Sequence, residues 1–201
     1  MRLQIKLIRH GKTLGNEQGR YIGARTDESL SEVGREVIRN NRKRLLDDSF
    51  GAEKNVLVFS SPMKRCLETA SYLGLSNPVV IDELKEIDFG EFEYKNYEEL
   101  NGRDDYQAWI DSGGKKDYPG GEPLKSFIER NNAGFEKIVR KMCESGCDKA
   151  ITVCHGGNIM AILSQLTGEE YFDFQIKNGE GYLLELEVEN GHIFGVSYNR
   201  I

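Results

Sequence analysis

Apolar and polar residues follow a regular succession along the chain, and this succession predicts the strands of one sheet. The segment 3–8 alternates, with Leu3, Ile5 and Leu7 on one face, as in a half-buried strand. Two short runs, NVLVF at 55–59 and AITVC at 150–154, are almost wholly apolar. Parallel strands that are covered on both faces have this composition. The segment 78–81 predicts one more short strand.

Longer segments carry the periodicity of helices, with a signal for the start of each. A helix from Ser31 as N-cap to about Asp48 is predicted first, after a loop over 11–30. A second runs over about 63–72, with Pro62 at the first helical position. A third covers 124–144, and a fourth follows His155 and ends near Thr167.

The end of the chain predicts a β-hairpin, because two alternating runs flank Asn190-Gly191. Strands alternate with helices over the rest of the chain, which is typical of an α/β fold. We therefore expect a three-layer sandwich with a mostly parallel central sheet, helices on both faces and a C-terminal hairpin at the sheet edge. Residues 1–201 form a single domain in this interpretation. The segment 87–121 is richer in charge, Tyr and Gly and predicts a cap-like insertion.

Composition narrows the class of protein. The chain has 201 residues, a formal net charge of −6, 38% hydrophobic and 30% charged residues. No apolar run approaches the roughly 20 residues that cross a bilayer, and the N-terminal MRLQIKLIRHG lacks the core of a secretion signal. An acidic chain also argues against the clustered basic face that a nucleic-acid partner requires. We therefore expect neither a membrane nor a nucleic-acid partner, and the expected protein is a cytoplasmic monomer or homodimer.

The four cysteines, at positions 66, 143, 147 and 154, contain no C-x-x-C pair. A chain of this length does not need disulfides to fold. Reduced thiols are therefore expected.

Two of the three histidines follow predicted strands directly. His10 ends the first strand and His155 ends the run 150–154, and each precedes a glycine. Ligands of open α/β sheets bind beyond the carboxyl ends of strands. A helix that begins after His155 also presents free N–H groups, which favour an anion.

The residues near these histidines suit a phosphate group. Arg9 and Arg65 can make bidentate contacts, while Thr13 and Asn16 add neutral donors. An imidazole can attack phosphorus when the charge on the phosphoryl oxygens is neutralised. The pattern thus predicts a small phosphorylated substrate.

Other phosphate and metal sites fit less well. Two histidines are common metal ligands, but no H-x-H or H-E-x-x-H spacing occurs, and the two arginines would repel a cation. A P-loop needs a glycine where Lys6 stands. No cysteine has an arginine six residues later, as the nucleophile of a cysteine-dependent phosphatase would.

Beyond the histidines, the motifs as a series resemble the histidine phosphatase superfamily, which includes cofactor-dependent phosphoglycerate mutases. The resemblance covers nearly the whole chain, in the order Arg9-His10-Gly11-x-Thr13-x-x-Asn16, Arg20-Tyr21-x-Gly23, Ser60-Ser61-Pro62-x-x-Arg65-x-x-x-Thr69-Ala70, Leu84-x-Glu86-x-Asp88-Phe89-Gly90, Pro119-Gly120-Gly121-Glu122 and His155-Gly156-Gly157. The implied fold is phosphoglycerate mutase-like.

The resemblance also implies roles for individual residues. His10 would be the nucleophile that forms a phosphohistidine, and Glu86 would protonate the leaving oxygen. The phosphoryl group and the substrate would be held by Arg9, Arg65, His155, Thr13, Asn16, Gly23 and Gly156. No metal and no cofactor are implied.

The run Asp88-Phe89-Gly90-Glu91-Phe92-Glu93 is more similar to the phosphatase branch, especially alpha-ribazole phosphatases and broad-specificity phosphatases. Four positions depart from the family pattern without removing a catalytic group, namely Lys12, Ser29, Tyr94 and Pro123. The expected activity is hydrolysis of a phosphomonoester. The alternatives are a phosphoglycerate mutase and a catalytically weak protein that binds a phosphorylated ligand.

Overall fold

Six strands form one mixed sheet in a computed structural model that describes residues 1–47, 50, 55–189 and 191–201. The strands are β1 (Arg2–Arg9), β2 (Leu57–Ser60), β3 (Val79–Val80), β4 (Lys149–Cys154), β5 (Gly181–Glu189) and β6 (His192–Arg200). Their order across the sheet is β3-β2-β4-β1-β5-β6. The strands β3, β2, β4 and β1 are parallel, and the hairpin β5–β6 continues the sheet in antiparallel fashion to one edge.

Helices cover both faces of this sheet. They are α1 (Leu14–Glu17), α2 (Glu32–Leu45), α3 (Lys64–Tyr72), α4 (Tyr97–Leu100), α5 (Asp104–Asp111), α6 (Leu124–Ser145) and α7 (Gly156–Thr167). Short 3₁₀ turns occur at Asp82–Leu84, Gly90–Phe92 and Tyr171–Phe174. The predicted three-layer α/β architecture with an edge hairpin is confirmed.

The alternation of β1 divides the core into two layers. Leu3, Ile5 and Leu7 are fully buried on the face that α6 and α7 cover. Ile8 points to the other face, where it packs in one cluster with residues of α2 and α3 such as Ile38. Truncation of such a buried Ile or Leu to Ala costs about 2–5 kcal/mol of stability.

Lys6 is a buried cation inside the central strand. Its side chain is only 1% exposed and points towards α2. The ammonium group donates to the carbonyl of Leu45 at the C-terminus of α2 (2.9 Å), pairs with Asp47 and lies 4.3 Å from the centre of the Phe50 ring. A cation in this position satisfies a free carbonyl and complements the helix dipole.

Several predicted boundaries are wrong in detail. Pro62 is not the first residue of α3, because Met63 has an extended backbone (φ −68°, ψ 139°) and the helix begins at Lys64. The predicted loop 11–30 contains α1, where Thr13 Oγ1 accepts from the N–H of Asn16 and Asn16 Oδ1 accepts from the N–H of Thr13. The first predicted helix ends at Leu45, and Asp48 lies outside the described residues, as does Asn190 of the hairpin turn.

The segment 87–121 contains α4, α5 and a 3₁₀ turn. Phe92, Leu100 and Tyr106 form a small core of their own in this segment. Among the described helices, none combines the length and the apolar composition that a membrane crossing requires.

Candidate active site

The pairing of β1 with β4 brings the two histidines together. Arg9 stands opposite Cys154 in the parallel register, and each strand ends at that residue. The N–H of His10 donates to the carbonyl of Cys154 (3.0 Å). The rings of His10 and His155 are therefore neighbours, with centroids 5.0 Å apart and planes at 68°.

His10 is held in one tautomer. The ring is 3% exposed, and Nδ1 lies 2.6 Å from the carbonyl oxygen of Gly11. Because a carbonyl oxygen only accepts, Nδ1 carries the proton and Nε2 keeps its lone pair. Burial lowers the pKa of His10 well below its usual range, and the charges of Arg65 and Arg9 lower it further. The ring is thus a neutral base with a defined nucleophilic nitrogen.

Arg65 extends from the first turn of α3 and is fully buried. Its guanidinium donates to the carbonyls of Thr26 (2.8 Å) and Gly23 (3.2 Å), so the loop before α2 fixes it. Arg65 Nε also donates to Nδ1 of His155 (3.2 Å).

His155 is buried completely and stays neutral. Since Nδ1 accepts from Arg65, the ring proton is on Nε2, which donates to Ser61 Oγ (2.8 Å). Burial lowers the pKa of His155 well below its usual range, and the neighbouring charge of Arg65 adds to this effect. A second neutral imidazole therefore lies beside His10.

Arg9 supplies a donor that the protein leaves unused. Its Nη1 donates to the carbonyl of Ile176 (2.5 Å), but its buried Nε has no hydrogen-bond partner within the described part of the chain. Gly156, the first residue of α7, lies next to it, since a Cβ there would be 3.3 Å from Arg9 Nε. An unpaired donor and a helix N-terminus at one place form a site for an anion.

Glu86 lies on the segment that leads from β3 into 87–121. The side chain is 8% exposed and accepts from the N–H of Ile87 (3.0 Å). Gly157 lies directly beside it, and a Cβ at that position would displace the Glu86 carboxyl group from its place in the site. Burial raises the pKa of Glu86, against the opposing effects of the Ile87 N–H and of Arg65.

A cavity of about 360 Å³ opens between part of this site and the segment 87–121. The residues of the site that line it include Arg9, Glu86 and Gly156. Aromatic side chains form much of the remaining wall: Tyr21, Phe89, Trp109, Tyr118, Tyr171 and Phe172. A cavity of this size accepts a small organic molecule.

Three predicted substrate contacts already have partners in the protein. Thr13 is fully buried, and its hydroxyl is used to cap α1 with Asn16. Gly23 gives its N–H to Glu93 (2.9 Å) and its carbonyl to Arg65. Substrate contact by Thr13, Asn16 and Gly23 stays a prediction.

Sequence reasoning missed residues that support the histidines. Asn178 donates to the carbonyl of His10 (3.1 Å) and to Asn16 Oδ1 (3.3 Å). Thr69 Oγ1 accepts from the N–H of Gly11 (3.0 Å) and donates to the carbonyl of Arg65 (2.6 Å). Thr69 belongs to the same family motif as Arg65, so its position in the sequence could have indicated this role. Asn178 carried none, because its contact depends on the return of the chain after α7.

The described residues contain no group of three or more His, Cys, Asp or Glu side chains that could hold a metal ion.

Comparison with known proteins assigns the chain to a family of phosphatases. The family model described as Histidine phosphatase superfamily (branch 1) matches residues 5–200. The chain is 31% identical to the Metal-independent phosphoserine phosphatase of Arabidopsis thaliana over 171 residues, covering 82% of this chain and 68% of the relative. It is 29% identical to the Adenosylcobalamin/alpha-ribazole phosphatase of Escherichia coli (strain K12) over 187 residues, covering 88% and 87%.

A solved structure shows the same architecture. The phosphoglycerate mutase from Thermus thermophilus superposes with a TM-score of 0.64 at 30% identity, covering 90% of this chain and 92% of that one. The predicted phosphoglycerate mutase-like fold is thereby confirmed.

Proposed function

Because the chain belongs to branch 1 of the histidine phosphatase superfamily, we propose that it is a metal-independent phosphomonoesterase that acts through a phosphohistidine on His10. The observation that carries this proposal is the hydrogen bond from His10 Nδ1 to Gly11. It leaves Nε2 as the only ring nitrogen with a free lone pair. A neutral, oriented imidazole is the nucleophile that the first step needs.

In the first step, Nε2 of His10 forms a bond to phosphorus while the bond from phosphorus to the ester oxygen breaks. The electron pair of that bond goes to the leaving oxygen, which takes the proton of Glu86. Burial favours the protonated form of this carboxyl group. The product alcohol then leaves, and the phosphoryl group stays on His10.

In the second step, water attacks phosphorus and the bond to Nε2 breaks. Glu86, now a carboxylate, accepts the proton of the water, so the acid of the first step is the base of the second. Inorganic phosphate leaves, and both side chains return to their starting states.

Positive charge for the transferring group comes from Arg9 and Arg65, with His155 adjacent to them. The unused Nε of Arg9 fits an oxygen of the phosphoryl group. Two guanidinium groups supply the charge that a divalent cation provides in metal-dependent phosphatases. The proposed reaction therefore needs neither a metal nor a cofactor. The name of the Arabidopsis relative states metal independence for that protein.

The proposed substrate is a small phosphorylated metabolite, and alpha-ribazole phosphate is one candidate because of the similar Escherichia coli enzyme. The protein would act as a monomer or homodimer. We place it in the cytoplasm, since all four cysteines are free thiols and a reducing compartment keeps them so.

The proposal is tested by trapping the intermediate. With 4-nitrophenyl phosphate and rapid quenching, the wild-type protein should gain one phosphoryl group that acid removes and base does not. His10→Asn should abolish both the adduct and turnover. His192→Asn is the matched control, because His192 is exposed at the hairpin, and it should behave as wild type.

Full turnover by His10→Asn would refute the mechanism. A trapped phosphohistidine that passes to a second hydroxyl of phosphoglycerate, and not to water, would instead identify the chain as a mutase. An adduct that forms once without turnover would identify a weakly catalytic binding protein.

A further inference from the structure

The wall of the cavity consists largely of aromatic rings from three separate parts of the chain. Tyr21 follows α1, Phe89, Trp109 and Tyr118 belong to the segment 87–121, and Tyr171 and Phe172 follow α7. The rings fix one another at short range, with centroid distances of 5.2 Å for Tyr21–Phe89, 5.0 Å for Phe89–Tyr118 and 5.6 Å for Trp109–Tyr118. Such a wall is preorganised, so a ligand does not have to order it.

The cavity has little charge to offer beyond the phosphate site. Of the described residues that line it, Arg9 is the only cation and Glu86 the only carboxylate. Both are assigned to the phosphoryl transfer in the proposed mechanism. Arg25 and Lys115 do not line the cavity, and each is in an ion pair, with Asp88 (2.8 Å) and Glu170 (3.2 Å) respectively.

A negatively charged leaving group would therefore lose its hydration without gaining a partner. Burial of an unpaired charge is costly, and a carboxylate in this cavity would have no second arginine or lysine to receive it. An uncharged aromatic ring has no such cost. It gains ring contacts of the edge-to-face and offset type, which add to the burial of its apolar surface.

We infer that the alcohol part of the substrate is an uncharged aromatic group, and that the enzyme discriminates against phosphomonoesters with a carboxylate. This inference rests on the proposed phosphomonoesterase activity. The inference predicts that phosphoserine is not the preferred substrate, because phosphoserine bears a carboxylate and an ammonium group.

The test compares phosphates of primary alcohols, so that the chemistry of the leaving oxygen stays similar. The probes are 2-phenylethyl phosphate, 2-cyclohexylethyl phosphate and phosphoserine. We expect kcat/KM for 2-phenylethyl phosphate to exceed that for phosphoserine by about tenfold or more, and that for the cyclohexyl compound by a few-fold.

Two variants connect this preference to the cavity. Gln175 is an exposed residue at its rim, and Gln175→Lys should shift the ratio of kcat/KM values several-fold towards phosphoserine by supplying the missing cation. Gln165→Lys adds the same charge on the exposed side of α7, in a different groove, and should leave the ratio unchanged. Phe172→Leu keeps an apolar side chain but removes a ring, and should reduce the preference for phenyl over cyclohexyl.

Each failure has its own signature. Turnover of none of the probes, without a phosphohistidine, would contradict the proposed function itself. Turnover with phosphoserine preferred, or with phenyl and cyclohexyl compounds equal, would overturn the inference about the leaving group and leave the phosphatase mechanism intact.

Discussion

Burial has opposite effects on the pKa values of His10 and Glu86, and both effects favour the proposed reaction. A low-dielectric environment disfavours the charged form of either group, so the histidine stays neutral and the carboxyl group keeps its proton. The first is the form of a nucleophile, and the second is the form of an acid. Burial thus favours, in both groups, the protonation state that the first step requires.

These shifts predict the pH dependence of kcat/KM. Activity needs neutral His10, so its lowered pKa extends the active range towards acid. Activity also needs protonated Glu86, so its raised pKa extends the active range upward, and activity falls above it. We expect an optimum on the acid side of neutrality, measured with an alkyl phosphate in constant-ionic-strength buffers. In Glu86→Gln, activity should no longer fall at alkaline pH through deprotonation of residue 86. A wild-type activity that rises through neutral pH would contradict the assignment of Glu86 as the acid.

The role of Glu86 as proton donor predicts a dependence on the leaving group. An alkoxide needs a proton to leave, whereas a nitrophenolate does not, and general acid catalysis contributes about 10²–10⁴-fold. Glu86→Gln should therefore slow phosphorylation by alkyl phosphates severely and by 4-nitrophenyl phosphate much less. Single-turnover rates over leaving groups of graded pKa measure this. An equal loss for all of them would rule Glu86 out as the donor. The next carboxyl groups to test would be Asp88 and Glu122, which are paired with Arg25 and Arg130.

At the scale of elements, α6 fixes the segment that carries Glu86. Arg130 donates to the backbone carbonyls of Glu83 (2.7 Å), Lys85 (2.7 Å) and Glu86 (3.0 Å). Glu122 holds the same guanidinium through two hydrogen bonds of 2.6 and 2.7 Å. Arg130 is therefore a positioning residue, because it acts on the backbone that carries the acid.

Loss of the Arg130 hydrogen bonds should slow, in particular, the step in which Glu86 protonates the leaving oxygen. Arg130→Met should reduce kcat for alkyl phosphates by about 10- to 100-fold, since small displacements of a catalytic group have effects of this size. The loss for 4-nitrophenyl phosphate should be smaller. Arg140→Met, an exposed position on the same helix, is the matched control. A thermal unfolding curve taken alongside separates the two effects, and equal losses for both substrates would mean that Arg130 only stabilises the fold.

Elements with a strong local signal were predicted well. The apolar runs of β2 and β4, the stripe of α6 and the two strands of the hairpin all appear within a few residues of their predicted bounds. The position of Pro62 relative to α3 and the absence of a helix where α1 lies were predicted wrongly. Both depend on single hydrogen bonds and backbone angles near Thr13 and Met63, to which hydrophobic periodicity is insensitive.

For the molecule as a whole, the two strand ends at His10 and His155 could be placed together from sequence, because parallel strands share an edge. The aromatic wall of the cavity could not be assembled from sequence in this way. Tyr21, Trp109 and Phe172 are far apart in the chain, and no periodic pattern links their positions. The role of Asn178 was missed for the same reason.

The charge distribution of the whole molecule predicts independence from metals. The chain carries a net charge of −6, yet its candidate site places Arg9 and Arg65 beside neutral histidines. Activity should survive exhaustive chelation with EDTA, and vanadate should inhibit as an oxyanion mimic. Added magnesium serves as the control and should change little. A strict requirement for a divalent cation would show that the arginines do not supply the charge of the transition state.

The position of β1 in the middle of the sheet has a consequence for biosynthesis. Residues 2–9 leave the ribosome long before their two partners, because β4 and β5 lie at 149–154 and 181–189. At about 5–20 residues per second, the first strand waits many seconds for its neighbours. During that interval its apolar face is uncovered, and His10 has neither His155 nor the cavity beside it. The nascent chain is thus catalytically silent until β4, His155 and β5 have been translated, and chaperones have most reason to hold it before then.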